Sequence, residues 1–325
     1  MTDAARASAT PAAVMPAALT LGEPPVLPAR VRDAQAACGY VAATWHRLRR
    51  DRLSMAALGL LVLVIFLATL GPWIAQAALG VEPYRQTLNQ RMQPPSPAHP
   101  FGTDDLGRDA LARTLIAGRV SMGIGVTISV VSLLIGIPVG LASGFYGGRF
   151  DDVSNAVIQT LANIPSMFLL VLLSALLNPG VVLLGVIIGL LGWMGAARMV
   201  RGMALSVREQ DYVLAARALG AGDARIIFAH LLPNVFSLVT VIAGFDVASG
   251  ILAESGLSFL GLGVRPPTAS WGSMLSASLE NVTRAPWLVL FPGLAIFLTT
   301  LAIFLLADGI RDALDPRLKS PRIKN

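Results

Sequence analysis

From Ile158 to Ala197 the sequence runs for forty residues without a single Asp, Glu, Lys or Arg. A helix needs about 20 apolar residues to cross the hydrocarbon core of a bilayer, so this stretch holds two crossings. Asn178-Pro179-Gly180 interrupts it near the middle with residues suited to a tight turn, which predicts a helical hairpin. Four further blocks are long enough for one crossing each: Ser54 to Val81, Val120 to Gly148, Val235 to about Ser255, and Ala285 to Ala307. Only the fifth span carries acids, Asp246 and Glu254. The chain is therefore expected to be an all-α polytopic membrane protein of six transmembrane helices. Its 14% of charged residues, against about 25% in a soluble domain, agrees.

The basic residues set an orientation. Arg47, Arg49, Arg50 and Arg52 immediately precede the first span and place the N-terminus in the cytoplasm. With six spans both termini share that side, which then holds 18 of the 25 Lys and Arg residues. The net charge of +6 is thus topogenic, with membrane lipid as its neighbour and no nucleic acid implied. The first apolar block begins after fifty residues and is too long for a cleaved signal, so it reads as an uncleaved anchor. The expected organisation is a disordered cytoplasmic tail over 1–53, with Tyr40 to Leu48 extending the first helix inward. There follow the anchor (54–81), an extracytoplasmic loop (82–119), a core of five spans (120–309) and a cytoplasmic tail (310–325). One cysteine, Cys38, and three dispersed histidines exclude a disulfide framework and a zinc site. The only lysines, Lys319 and Lys324, follow Leu318 and Ile323, so neither belongs to a phosphate-binding P-loop.

The longest internal cytoplasmic segment runs from residue 198 to 234. Within it Gln210 to Gly220 (QDYVLAARALG) is alanine-rich and ends on a glycine able to form a left-handed C-cap. A second helical piece, Asp223 to Leu232, takes Asp223 as N-cap, and Pro233-Asn234 opens the fifth span. Small side chains on the first helix let another protein approach its backbone; a solvated loop helix is the plainer alternative.

The order Ala215-Ala216, Gly220, His230-Leu231-Leu232-Pro233 resembles the E-A-A loop of bacterial ABC-importer permease subunits. Other segments are similar to the C-type subunit of the dipeptide, oligopeptide and nickel permeases. They are His99 to Asp109 (HPFGTDDLGRD), Gly144 to Gly148 (GFYGG), Leu257 to Val264 (LSFLGLGV), Pro266-Pro267, Trp271-Gly272, and Asp308 to Arg317 (DGIRDALDPR). They occur in order from about residue 97 to 318. The sequence departs from the pattern where Leu214 replaces the loop glutamate and His230 an isoleucine. Ala156 and Gln159 replace an arginine and an aspartate, and Phe304 replaces an asparagine and reads as packing.

The resemblance implies a type I ABC-importer permease fold in the bacterial inner membrane and a non-catalytic subunit forming half of a pore for short peptides or a related solute such as nickel. It implies no cofactor in this chain, ATP and magnesium being held by two cytoplasmic ATPase subunits, and as further partners a second homologous permease subunit and an extracytoplasmic substrate-binding protein. The helix 211–220 would couple to the ATPase through Asp211, Tyr212, Ala215, Ala216, Arg217, Leu219 and Gly220, with Pro233 closing the motif and Glu209 or Asp211 able to replace the missing carboxylate. Asp104, Asp105, Arg108, Asp109 and Trp271 are candidates to face the binding protein; alternatively the acids cap a surface helix and Trp271 anchors at the membrane interface. Asp246, near mid-span, either lines the substrate path or hydrogen-bonds a neighbouring helix. Glu254 is nearer the outer end and can be interfacial. An ATP-independent secondary transporter or channel is the main alternative function, but paired intramembrane ionisable residues and an inverted repeat are not evident. No acid pair, histidine cluster or nucleophilic triad marks an enzyme.

Overall fold

A computed structural model of the chain describes residues 44–314. The expectations for residues 1–43 and 315–325, including Cys38, Arg317 and both lysines, lie outside the described residues. Residues 44–48 form a short helical turn, which does not run on into the first span as expected. Asp51 stops it: its extended backbone and carboxylate, which accepts from the Leu53 and Ser54 amides, cap the N-terminus of α1 (Arg52–Thr69). Residues 44–53, expected as part of the tail, have a defined structure, and Arg47 among them donates to the Ala313 carbonyl at 3.1 Å.

The first uncharged block is divided. α1 ends at Leu70, and α2 (Gly71–Leu79) begins with Pro72 in its first turn, because proline has no N–H and crowds the preceding turn if a helix runs through it. The next helix, α3 (Ala110–Tyr146), is 37 residues long and starts ten residues ahead of its uncharged block. Arg113 and Arg119 therefore lie on a helix and not in an outer loop. Arg119 donates to the carbonyls of Ala68 (2.7 Å) and Thr69, the last of α1, and stacks over Trp73. A cation at a helix C-terminus satisfies orphan carbonyls and the helix dipole together.

The expected hairpin is present, with a bent first arm. α4 (Gly148–Ala162) and α5 (Ser166–Leu177) meet at 74° around Asn163-Ile164-Pro165. Asn178 takes the left-handed conformation at φ 44°, and α6 (Val181–Arg208) follows. The chain then forms α7 (Asp211–Ala218), α8 (Asp223–Ile226), one π turn (Ile227–Leu231) and α9 (Leu232–Phe259). Gly222, not Asp223, is the N-cap residue of α8. The π turn lies just before Pro233, where a regular i to i−4 bond is missing its donor. A short helix, α10 (Trp271–Ser278), precedes α11 (Trp287–Leu314), which carries Asp308, Arg311 and Asp312 beyond the uncharged block. Among the described residues five helices are long and apolar enough to span a membrane, and the bent α4–α5 pair brings the number to six if it counts as one crossing.

Small residues set the packing. Gly136, Gly140 and Gly144 on α3 face Ala196, Ala197 with Val200, and Ala204 on α6, while Gly185 and Gly189 on α6 face Thr127 and Val131. The paired numbers rise together, so α3 and α6 run parallel in close backbone contact, the small-xxx-small geometry of membrane helices. α9 runs antiparallel to α3, since Ser121 meets Glu254 and Ser129 meets the Ala243 carbonyl, with Gly125 against Val247 and Ile251 between them, and Gly244 meets Ala307 of α11. One end of the bundle, the loop end, gathers Ser54, the α3–α4 corner, α7 and Gly309; the far end gathers α2, residues 99–115 and α10.

Candidate functional site

At the loop end, α7 is a two-turn helix anchored by one side chain. Val213 is fully buried, in a cluster with Leu141 and Phe145 of α3, Val200, Ala204 and Val207 of α6, and Ile226, Leu231 and Val235 beyond the loop. Gly220, at φ 84°, closes α7 as expected, with its amide on the Arg217 carbonyl and the Ala221 amide on Ala216. The second arm folds back on the helix: Asn234 donates to the Tyr212 hydroxyl at 3.2 Å and to the His230 carbonyl at 2.7 Å. His230, the residue in place of the isoleucine, lies 6.0 Å from the Tyr212 ring. Burial pushes the Tyr212 phenol above its ordinary pKa, keeping the hydroxyl protonated.

The opposite face of α7 is open. Asp211, Ala215, Arg217 and Gly220 are exposed, Ala216 is half-buried, Leu214 is 49% exposed and Leu219 is 89% exposed. Pro233 is also exposed, on the adjoining first turn of α9. The missing glutamate side chain is thus replaced by an apolar one on the outer face, with the exposed Glu209 and Asp211 beside it.

Three arginines tie this loop to the α3–α4 corner, and sequence reasoning missed their partners. Arg201 on α6 forks onto Asp151 of α4 at 2.5 and 2.6 Å, with Ser143 and Asn155 also donating to that carboxylate. Arg208 donates to the last carbonyls of α3, on Gly144 and Phe145. Arg217 of α7 itself lies over the Phe145 ring at 5.3 Å. The nearest sequence signal is Asp151, three residues past the GFYGG segment; its partner stands fifty residues away.

The far-end candidates do not form one exposed surface. Asp109 is 4% exposed and caps α3, accepting from the Ala112 amide at 2.7 Å and paired with His99 at 2.8 Å. Asp104 accepts from the Arg108 side chain at 2.6 Å and lies 3.5 Å from Arg113. Both carboxylates are occupied in holding the 99–113 turn together, which corrects the reading of these two acids as outward-facing; Asp105 is the more open, 39% exposed and 3.7 Å from Arg108. Trp271 is corrected too, as facing group and as interface anchor. It is 2% exposed and donates from Nε1 to the Thr114 carbonyl at 2.9 Å, packed against Gly118.

Asp246 is half-buried on α9, with the Ser132 hydroxyl of α3 beside its carboxylate. Glu254 is 0% exposed, which corrects its interfacial placement. Phe304 packs against Phe245 as expected, ring centroids 5.5 Å apart.

The family described as binding-protein-dependent transport system inner membrane component matches residues 136–320, and the N-terminal transmembrane domain of oligopeptide transport permease C matches residues 39–95. The chain is 39% identical to the dipeptide transport system permease protein of Bacillus subtilis over 281 residues, 86% of this chain and 87% of that one. It is 40% identical to the oligopeptide transport system permease protein of the same organism, covering 84% and 88%. The di/tripeptide transport system permease protein of Pseudomonas aeruginosa is 36% identical, covering 85% and 92%.

Proposed function

Because the chain belongs to the binding-protein-dependent inner-membrane transport components, the permease subunits of ABC importers, we propose that it forms half of a peptide-conducting pore driven through α7 by a separate ATPase. It is a multi-pass, non-catalytic inner-membrane subunit. The substrate class rests on the peptide permeases that it resembles across most of their length.

The observation that carries the coupling reading is the exposed face of α7. An eight-residue helix holding Leu219 at 89% exposure beside Tyr212, Leu214, Ala215 and Ala216 leaves apolar surface uncovered. Exposed apolar surface of this kind is stabilised by a partner that buries it. Force on that face passes inward by two routes, the Val213 plug and the Arg217–Phe145 stack, both reaching α3 and α6. In this reading ATP-driven closure of the ATPase pair moves α7, and the α3–α6 unit moves with it between inward-open and outward-open states. Residues 44–48 and the end of α11 lie at the same end as α7, which supports cytoplasmic termini.

Asp246 is the proposed substrate-path residue. The support is a half-buried acid in the middle of a membrane span, a costly placement that a polar path makes cheaper, and a peptide ammonium in transit is a cation that it can pair with.

The test is cross-linking in the assembled transporter. Cysteines at Ala215 and Ala218 should link to the ATPase subunit, whereas a cysteine at Val182, exposed at the other end of α6, should not. No link at either α7 position refutes docking there. Solute flux by the lone chain in liposomes refutes the ATP-driven reading.

A further inference from the structure

Glu254 stands apart from everything at the loop end. It is fully buried, five residues before the end of α9, and both carboxylate oxygens are engaged. Oε1 accepts from Ser258 at 2.6 Å and from Ser270 at 2.7 Å; Oε2 accepts from Ser121 at 3.3 Å. These hydroxyls come from three places: the next turn of α9, the N-cap of α10, and α3.

Each serine oxygen in turn accepts a backbone N–H. Ser258 takes that of Val264 at 3.1 Å, Ser270 that of Ser273 at 3.0 Å, and Ser121 that of Trp271 at 3.1 Å. Three relays of amide to hydroxyl to carboxylate therefore converge on one side chain. All three amides belong to the segment 264–273, the connection between α9 and α10 and the start of α10. A hydroxyl has one proton to donate, and in each relay it goes to Glu254. Backbone packing closes the same unit: a Cβ added to Gly272 would sit 2.5 Å from the Ser255 Cα, and one on Gly118 would sit 2.9 Å from the Trp271 ring.

We propose that Glu254 is the hub of a latch that joins α3, α9, α10 and the segment 260–270 into one rigid body, so that this end of the subunit moves as a block during transport and the segment does not open as a separate flap. A buried acid is costly in a membrane protein, and a network whose every member is satisfied specifies one arrangement of the elements that supply it. No residue of α7 belongs to the latch, so the inference does not depend on where α7 docks.

The experiment uses the full-length chain with its partner subunits in lipid nanodiscs and reads amide hydrogen exchange by mass spectrometry. Glu254→Met keeps the side-chain length but removes both acceptor oxygens, leaving the hydroxyl protons of Ser121, Ser258 and Ser270 without their acceptor. Exchange across 260–273 should rise at least tenfold in E254M and by a smaller factor in Ser270→Ala, which removes one arm, with 211–220 unchanged. Unchanged exchange in 260–273 in both variants overturns the latch, and so does an equal rise at 211–220, which would mean general loosening. As a second measurement on the otherwise unaltered protein, spin labels at the exposed positions Val126 and Ala277 should keep one distance with and without ATP. A distance that changes between the two conditions refutes the rigid block.

Discussion

Replacing Gly140 by alanine adds one carbon in the row of glycines where α3 lies against α6. The new Cβ would lie 2.6 Å from the Ala197 carbonyl oxygen and 2.8 Å from the Val200 Cβ, while ordinary contact begins near 3.4 Å. The two helices must part by about 0.8 Å to make room, an overpacking that costs about 1–3 kcal/mol. They cannot part at Gly140 alone, because Gly136 and Gly144 lie on the same row, each pressed on an alanine of α6. The substitution also gains up to about 1 kcal/mol of helix propensity, so the net loss should be about 0–2 kcal/mol. Gly123 supplies the control on the same helix: a Cβ there meets nothing within 4 Å, so Gly123→Ala keeps the propensity gain without the clash. The two variants should therefore differ by about 1–3 kcal/mol, about five- to 150-fold in the unfolding equilibrium. Unfolding of the purified chain by sodium dodecyl sulfate in mixed micelles measures that difference. Equal stability of the two variants would refute the claim that close backbone approach holds α3 to α6.

Three further outcomes follow from the loop end and the mid-span acid. Arg201→Lys should destabilise the protein by about 1 kcal/mol in the same titration, since an ammonium cannot reproduce the two-pronged contact with Asp151 and the pair is partly exposed to screening; a wild-type midpoint in Arg201→Met as well would show the fork to be inert. Val213→Ala removes the plug beneath α7 at a cost of about 1–2 kcal/mol and should lower transport per ATP hydrolysed, read by paired uptake and phosphate-release assays; unchanged coupling would exclude Val213 from transmission. Asp246→Asn should reduce peptide uptake while assembly and ATP hydrolysis persist, and wild-type uptake would remove Asp246 from the substrate path.

The bend between α4 and α5 shows a signal that was legible and unread. Pro165 stands in the uncharged stretch only thirteen residues before Asn178, yet counting length alone puts both residues in one straight crossing and its turn. The same counting joined α1 to α2 across Pro72. Charge-based boundaries failed in the other direction for α3, because arginines with carbonyl and carboxylate partners can sit on a helix that continues beyond the apolar core.

By itself the sequence determined the number of crossings, the turn at Asn178-Pro179-Gly180, the helix closed by Gly220 and the family. Each is written in local terms: an apolar run of sufficient length, a residue able to take positive φ, a motif in order. The tertiary structure alone decided that Asp151 meets Arg201, that Asp109 and Trp271 turn inward, and that Glu254 is bound by three serines. Those partners lie 50 to 157 residues apart along the chain for Arg201, Ser121 and Trp271, although Ser258 and Ser270 are close to Glu254 in sequence. A carboxylate's role depends on which donors the packing brings within about 3 Å, and no periodicity or composition encodes that distance.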